Sequence, residues 1–137
     1  AAAAPPASAA ALAVVKALIN RNLFDQVQRR GADLENALRA QFAQHENIGD
    51  IRGRGLFWGI ELVADRATKS PLDPSLETAK KIKSAAFEAG LICYPNSGTR
   101  DGKQGDHILL APPFIVSVDQ IGEITEKLGK ALTVALG

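Results

Sequence analysis

From Ala9 to Ile19 the chain is almost unbroken apolar sequence, Ala-Ala-Ala-Leu-Ala-Val-Val-Lys-Ala-Leu-Ile, and an N-cap type, Ser8, stands before it. The run predicts a helix with no polar face, which must lie between other elements to be soluble. Pro5-Pro6 sets it off from Ala1 to Ala4, a low-complexity start that carries no design information. A second helix is predicted from about Asn22 to Gln44. Leu23, Val27, Leu34, Leu38 and Phe42 recur there on one face, with Arg29, Arg30, Asp33, Glu35 and Arg39 around them. Gly31 inside that helix costs about 1 kcal/mol relative to alanine and points to close packing against a neighbour.

The period then changes. Leu56, Trp58, Ile60 and Leu62 alternate with Phe57, Gly59, Glu61 and Val63, which predicts a strand with one fully apolar face. Asp65 to Pro71 is a polar connection. Asp73 and Pro74 supply an N-cap and an N1 proline for a third helix, with Leu76, Ala79, Ile82 and Ala86 as its buried stripe and Gly90 as its C-terminal stop. Leu91 to Tyr94 reads as a short strand, and Pro95 to Asp106 as a twelve-residue loop. His107 to Val116 reads as an edge strand kinked at Pro112-Pro113, because proline cannot donate a ladder hydrogen bond. Ser117-Val118-Asp119-Gln120 has the form of a capping box. It opens a last helix with Val118, Ile121, Ile124, Leu128 and Leu132 inward. This order predicts a small α/β (α+β) domain: a three- or four-stranded, largely antiparallel sheet with helices packed on one face.

Composition narrows the function classes. The 137 residues are 46% hydrophobic and 23% charged, with 16 basic and 15 acidic side chains and a net charge of +1. That balance argues against nucleic acid or a membrane surface as partner. No apolar run approaches the roughly 18 residues that span a bilayer. A single cysteine, Cys93, fits a reducing compartment, so a soluble, cytoplasmic protein is expected. With His45 and His107 far apart, no zinc spacing is present.

The candidate chemistry is sparse. Gly53-x-Gly55-x-x-x-Gly59 has one residue too many for a dinucleotide fingerprint, and it leads into a strand where a helix N-terminus is needed. Gly53 and Gly55 are better read as shaping a tight strand entry with a bulge, and Arg52 and Arg54 as pairing with carboxylates or a neighbouring subunit. Ser97 lacks the strand-turn-helix context of a nucleophile elbow. The Asp106-His107 pair fits acid–base work, or, the more common outcome, the organisation of a loop end. Cys93 reads as a small core residue, Trp58 and Phe57 as core and interface residues, and Glu61 as calling for a basic partner such as Arg54 or Lys83. Arg100 is the strongest functional candidate. Loops of about 12 residues in compact domains are mostly functional or disordered, and a guanidinium there can hold a substrate carboxylate bidentately. The competing reading is a solvated loop arginine.

Three segments carry a family resemblance. Ala4-Pro5-Pro6-Ala7-Ser8-Ala9-Ala10-Ala11-Leu12-Ala13 is similar to a His-Pro-x-Ala-Cys-Ala-Ala-Ala-Leu-Ala pattern, with Ala4 in place of histidine. Ile51 to Leu62 resembles Val-Arg-Gly-x-Gly-Leu-x-x-Gly-Ile-Glu-Leu. Gly90 to Val116 resembles a Gly-Leu-Ile step, a long loop, Gly-Asp-His and a Pro-Pro strand. Together they resemble the C-terminal part of class III, omega-type aminotransferases, which are pyridoxal-phosphate enzymes of fold type I.

The resemblance implies transfer of an amino group from an omega-amine or amino acid to a keto acid or aldehyde, with the cofactor as electron sink. It also implies that the cofactor's lysine and acidic partner lie in a large domain, so no catalytic, cofactor-binding or metal-binding residue is expected here. Residues 1–20 would link to that domain, and 21–137 would form the C-terminal small domain that closes the substrate mouth. The partners implied are the large domain, a second subunit in a dimer or dimer of dimers, and small amine and keto-acid substrates. The substrate-facing residues implied are Tyr94, Asn96, Arg100 and Leu109. Many members carry an arginine three residues before the Pro pair, where this chain has Leu109, and others carry one near Tyr94. The absence of both favours omega-amine or β-alanine-like donors and leaves Arg100 to hold a carboxylate. A free-standing α/β interaction module, or an aminomutase, epimerase or decarboxylase on the same scaffold, is the alternative. The apolar helix from Ala9 to Ile19 discriminates against a lone module, which would leave it without a partner surface.

Overall fold

The computed structural model describes residues 5–137, so the position at which Ala4 replaces the family's histidine lies outside the described residues. The elements in chain order are α1 (Pro5–Asn20), α2 (Leu23–Phe42), β1 (Ile48–Arg54), β2 (Phe57–Leu62), a 3-10 turn (Pro74–Leu76), α3 (Thr78–Glu88), β3 (Tyr94–Ser97), β4 (Asp106–Leu110) and α4 (Val118–Leu136). The four strands form one antiparallel sheet in the order β1-β2-β4-β3. α2, α3 and α4 cover one face of it. The core joins Leu34, Leu38 and Phe42 of α2 and Ile82 and Ala86 of α3 to Ile121, Leu128 and Leu132 of α4. These close over Ile51, Trp58, Ile60, Leu62, Ile108 and Leu110 of the sheet.

The strongest local signals form as expected. Ser117 accepts from the Gln120 amide and the Gln120 side chain accepts from the Ser117 amide, a complete capping box on α4. At the end of α3, Gly90 has φ +82°, the Leu91 amide reaches the Ala86 carbonyl, and the Gly90 amide reaches that of Phe87. That pair of bonds is a Schellman motif. Gly31 is packed as closely as its placement implied: a Cβ there would lie 2.5 Å from the carbonyl oxygen of Gly55 in the β1–β2 turn.

Other expectations are corrected. β1 is a strand of its own, joined to β2 by a two-residue turn with Gly55 at φ +59°, the sign a type II′ hairpin needs at its first turn position. The bulge lies at Gly49 instead of Gly53 or Gly55: Ile48 faces Leu62 and Asp50 faces Glu61, leaving Gly49 extra. The third helix starts late. Asp73 caps the 3-10 turn by accepting from the Ser75 amide, Glu77 then takes φ 48°, and α3 begins at Thr78. Leu76, on the turn, is therefore 46% exposed and not part of the buried stripe. β3 begins where a strand was expected to end, at Tyr94, and Leu91 and Cys93 are buried without pairing while Ile92 between them is exposed. β4 stops at Leu110. Pro112-Pro113 ends the strand instead of kinking it, and a turn closed by Val116 N–H to Pro113 O leads into α4. Val118, in the first turn of α4, is 53% exposed and points away from the core.

α1 is the structural exception. None of its residues is buried, Leu12, Val14, Val15 and Ile19 each expose half or more of their surface, and it meets α2 at 63°. Within the described residues it does not lie between other elements, contrary to expectation. No single helix among them is long and apolar enough to cross a membrane.

Candidate functional site

The antiparallel register decides which side chains share the uncovered face of the sheet. Ile60 pairs with Ile108 and Trp58 with Leu110 on the core side, so the residues between them point the other way. On that open face Glu61 pairs with His107 and Gly59 with Leu109. Across the next seam Tyr94 pairs with Leu109 and Asn96 with His107. On the far edge Asp50 stands opposite Glu61 and Arg52 opposite Gly59. Three of the four expected substrate-facing residues, Tyr94, Asn96 and Leu109, thus share one surface, with Tyr94 56% exposed and Leu109 half-buried.

Arg100 lies at the other end of that face, beyond the Asn96–His107 pair. Its loop is an ordered continuation of the β3–β4 hairpin. The Thr99 amide donates to Gly105 O at 3.2 Å, the Arg100 amide to Gln104 O at 2.9 Å, and the Gly102 amide to Gly98 O at 2.9 Å. Asp101 closes the tip by accepting from the amides of Lys103 (2.9 Å) and Gln104 (2.6 Å), and these bonds hold its carboxyl below the usual carboxylate range. Gly98 and Gly105 take φ +77° and +90°, and a Cβ at Gly98 would lie 2.8 Å from Gly102 O, so the fold of the loop requires glycine there. The Thr99 hydroxyl meets Nδ1 of His107 at 2.5 Å and ties the loop to β4.

Arg100 lines a cleft of about 350 Å³ with Arg52, Glu61, Thr68, Lys69, Thr99 and Asp106. Tyr94, Asn96 and Leu109 are not in it, so the structure does not bring all four candidates into one pocket. Lys69 is set at the rim by the Asp65–Ser70 turn, where Asp65 accepts from the amide and hydroxyl of Thr68, and its ammonium donates to Gly49 O. Arg52 has Asp50 beside it at 3.7 Å. Among the described residues no carboxylate stands within ion-pair distance of the Arg100 guanidinium. Burial pushes the Asp106 carboxyl up from its ordinary value, against the opposing pull of His107, which favours its neutral form. Arg52, Lys69 and Arg100 outnumber the two carboxylates that line the cleft, Glu61 and Asp106, which leaves it an excess of positive charge.

Glu61 makes no ion pair with Arg54 or Lys83. Arg54 stands at the far end of β1 opposite Phe57, and Lys83 belongs to α3 behind the sheet. Cys93 is buried, as a core residue should be, and burial pushes its thiol up to about 11. Trp58 is core: its indole N–H donates to Gly55 O at 2.8 Å, and Arg39 sits over the ring at 5.9 Å. Phe57 is exposed. Arg52 pairs with a carboxylate, Asp50, as the sequence suggests, but sequence reading missed that Arg52, Lys69 and Thr99 reach the cleft, which they do only through strand pairing and turn geometry.

The model of the family described as aminotransferase class-III matches residues 2–132. The chain belongs to this family. An uncharacterized aminotransferase of Schizosaccharomyces pombe is 44% identical over 129 residues, which are 94% of this chain and 28% of that protein. A taurine–pyruvate aminotransferase of Bilophila wadsworthia is 37% identical over 126 residues, 91% of this chain and 27% of that protein. The PLP-bound crystal structure of an aminotransferase mutant from Vibrio fluvialis superposes with a TM-score of 0.80 at 34% identity, covering 92% of this chain and 26% of that one. The class III chain described here therefore spans about a quarter of the length of the relatives it matches.

Class III membership implies pyridoxal phosphate, but the donor set present does not fit it. Such a site needs a lysine to hold the cofactor, an acid for the ring nitrogen and a phosphate cradle. Lys69 is the only lysine lining the cleft, and its ammonium is engaged by Gly49 O at the rim. Among the described residues no group of three or more His, Cys, Asp or Glu side chains is placed to hold a metal ion.

Proposed function

We propose that residues 21–137 are the small domain of a pyridoxal-phosphate-dependent aminotransferase and that residues 1–20 connect it to a large domain carrying the cofactor and its lysine. In this reading the open sheet face and the Arg100 loop form one wall of the substrate mouth, in an enzyme built as a homodimer or dimer of dimers and working in the cytoplasm. The exposed apolar surface of α1 supports the assignment over a free-standing module, because it is a surface of the kind that marks an interface.

The substrate class follows from the cleft. Arg100 carries the reading: among the described residues its guanidinium has no carboxylate within ion-pair distance, it sits on an ordered loop, and it faces a cleft with an excess of positive charge. The donor we favour is an omega-amine with an acidic group at its far end, and the acceptor a small keto acid or aldehyde. Leu109 and Tyr94, apolar and aromatic, suit the carbon chain between the two ends, and the name of the Bilophila relative, a taurine–pyruvate enzyme, accords with a donor of this shape.

The test is Arg100→Ala in the full-length enzyme. A charge-assisted hydrogen bond is worth about 1.5–3 kcal/mol, so KM for an amine with a distal acid should rise about tenfold to a hundredfold. An uncharged amine should be little affected. Equal effects on both donors, or on neither, would sink the assignment of Arg100.

A further inference from the structure

We propose that His107 is a positioning residue for Arg100, acting through the Thr99 hydroxyl. The idea rests on the reading of Arg100 as the group that grips an anion, and it adds the device that aims it. The backbone bonds of the 98–105 loop, Thr99 to Gly105, Arg100 to Gln104 and Gly102 to Gly98, run within the loop itself, as do the bonds that Asp101 accepts. They make the loop stiff, yet they do not fix its tilt over the sheet. Among the described residues one side-chain hydrogen bond does so, from Thr99 to His107 on β4. Thr99 is next to Arg100, so holding its hydroxyl fixes the direction in which the Arg100 side chain leaves the backbone.

His107 is itself well seated. It is half-buried in the middle of the open face, flanked by Glu61 on β2 and Asn96 on β3, and its backbone is held in β4 by strands on both sides. The atom that matters is Nδ1. A hydroxyl both donates and accepts, so the bond survives whether Nδ1 carries a proton or not, and the Thr99 hydroxyl has Gly105 O at 3.3 Å as a second acceptor. The latch therefore holds whichever ring nitrogen carries the proton.

The choice of variants follows from that atom. Asparagine places an amide close to where Nδ1 stands, whereas glutamine reaches toward the position of Nε2. The experiment uses the full-length holoenzyme with two readouts: tryptic cleavage after Arg100 and Lys103, which reports loop order, and KM and kcat for β-alanine against n-butylamine. His107→Ala and Thr99→Val should each speed cleavage and raise KM for β-alanine about tenfold, with kcat and the n-butylamine parameters nearly unchanged. His107→Asn and Thr99→Ser should restore both readouts, His107→Gln should not, and the double variant should be no worse than either single one, as one shared bond requires. Unchanged cleavage in His107→Ala overturns the proposal whatever Arg100→Ala does. Faster cleavage with no selective rise in KM also overturns it, and Arg100→Ala then separates the two ideas: a selective effect there removes only the part given to His107, and none removes the anion-binding reading as well.

Discussion

Among the described residues three glycines lie inside helices, and the structure predicts opposite outcomes for the same substitution at them. Gly122, in α4, has nothing within 4 Å of where a Cβ would stand. Alanine there should stabilise by about 0.5–1 kcal/mol through helix propensity alone. At Gly129 the added methyl would crowd the amide end of the Gln41 side chain, which can swing away, and touch Phe42 at ordinary contact distance, so a smaller gain is expected. Gly31 differs. Its Cβ would stand 2.5, 2.8 and 2.9 Å from the carbonyl oxygen, carbonyl carbon and Cα of Gly55, and backbone cannot rotate aside. Normal contact lies at about 3.5–4.0 Å, so α2 and the hairpin must separate by about 1 Å.

That separation costs about 1–3 kcal/mol in overpacking and lost contact. It also pulls on the Gly55 carbonyl, which accepts the indole N–H of Trp58 at 2.8 Å, and an unsatisfied buried donor costs about 1–3 kcal/mol more. Gly55 cannot easily adjust, because its φ of +59° is what turns the hairpin. Against a propensity gain of about 1 kcal/mol, Gly31→Ala should lose at least about 1 kcal/mol and more nearly 3. Urea unfolding followed by the fluorescence of Trp58, the single tryptophan of these 137 residues, measures all three variants in one assay. Gly31→Ala as stable as Gly122→Ala would refute the close approach of α2 to the hairpin, and with it the account of how Trp58 is held.

Two further outcomes follow from burial. Asp106 has a folded-state pKa raised above its ordinary 3.8, so it contributes stability below that value and loses it as pH rises through the raised one. Asp106→Asn, neutral throughout, should unfold at a higher temperature than the wild type near neutral pH, and the gap should close on acidification to about pH 4; a gap that widens in acid would contradict the sign. Cys93, pushed up to about 11, should be thiolate in about one molecule in a thousand at pH 8. It should resist Ellman's reagent until the chain is unfolded, and rapid labelling of the native protein would show that the Cys93 thiol is not buried as described.

Where the sequence was readable, the information was local. A capping box, a Schellman glycine and the leucine stripe of α2 depend on residues within a turn or two of one another, and each formed where its residues stand. β1 was unreadable for a definite reason. The bulge at Gly49 puts Ile48 and Ile51, three residues apart, on the same face, and the next core-facing position, opposite Trp58, is Gly53. An alternation that skips a step and then shows a glycine has no period to detect. Likewise, nothing in Asp73-Pro74 reveals that Glu77 will take a left-handed conformation and delay α3.

The candidate site divides along the same line. Loop length and residue type were enough to single out Arg100. That Tyr94, Asn96 and Leu109 share a face while Arg100 stands at its far end depends on the register between β3 and β4, which pairs Tyr94 with Leu109 and Asn96 with His107. The same register explains why Glu61 did not find Arg54 or Lys83. Its cross-strand neighbours are Asp50 and His107, and charge balance on that face is left to Arg52, Lys69 and Arg100 arriving from a strand edge, a turn and a loop. A side chain with a good intrinsic reason to be functional can be seen in a sequence. The company it keeps is set by pairings between strands distant in the chain, and it is that company, three cations against the carboxylates of Glu61 and Asp106, that gives the cleft its excess of positive charge.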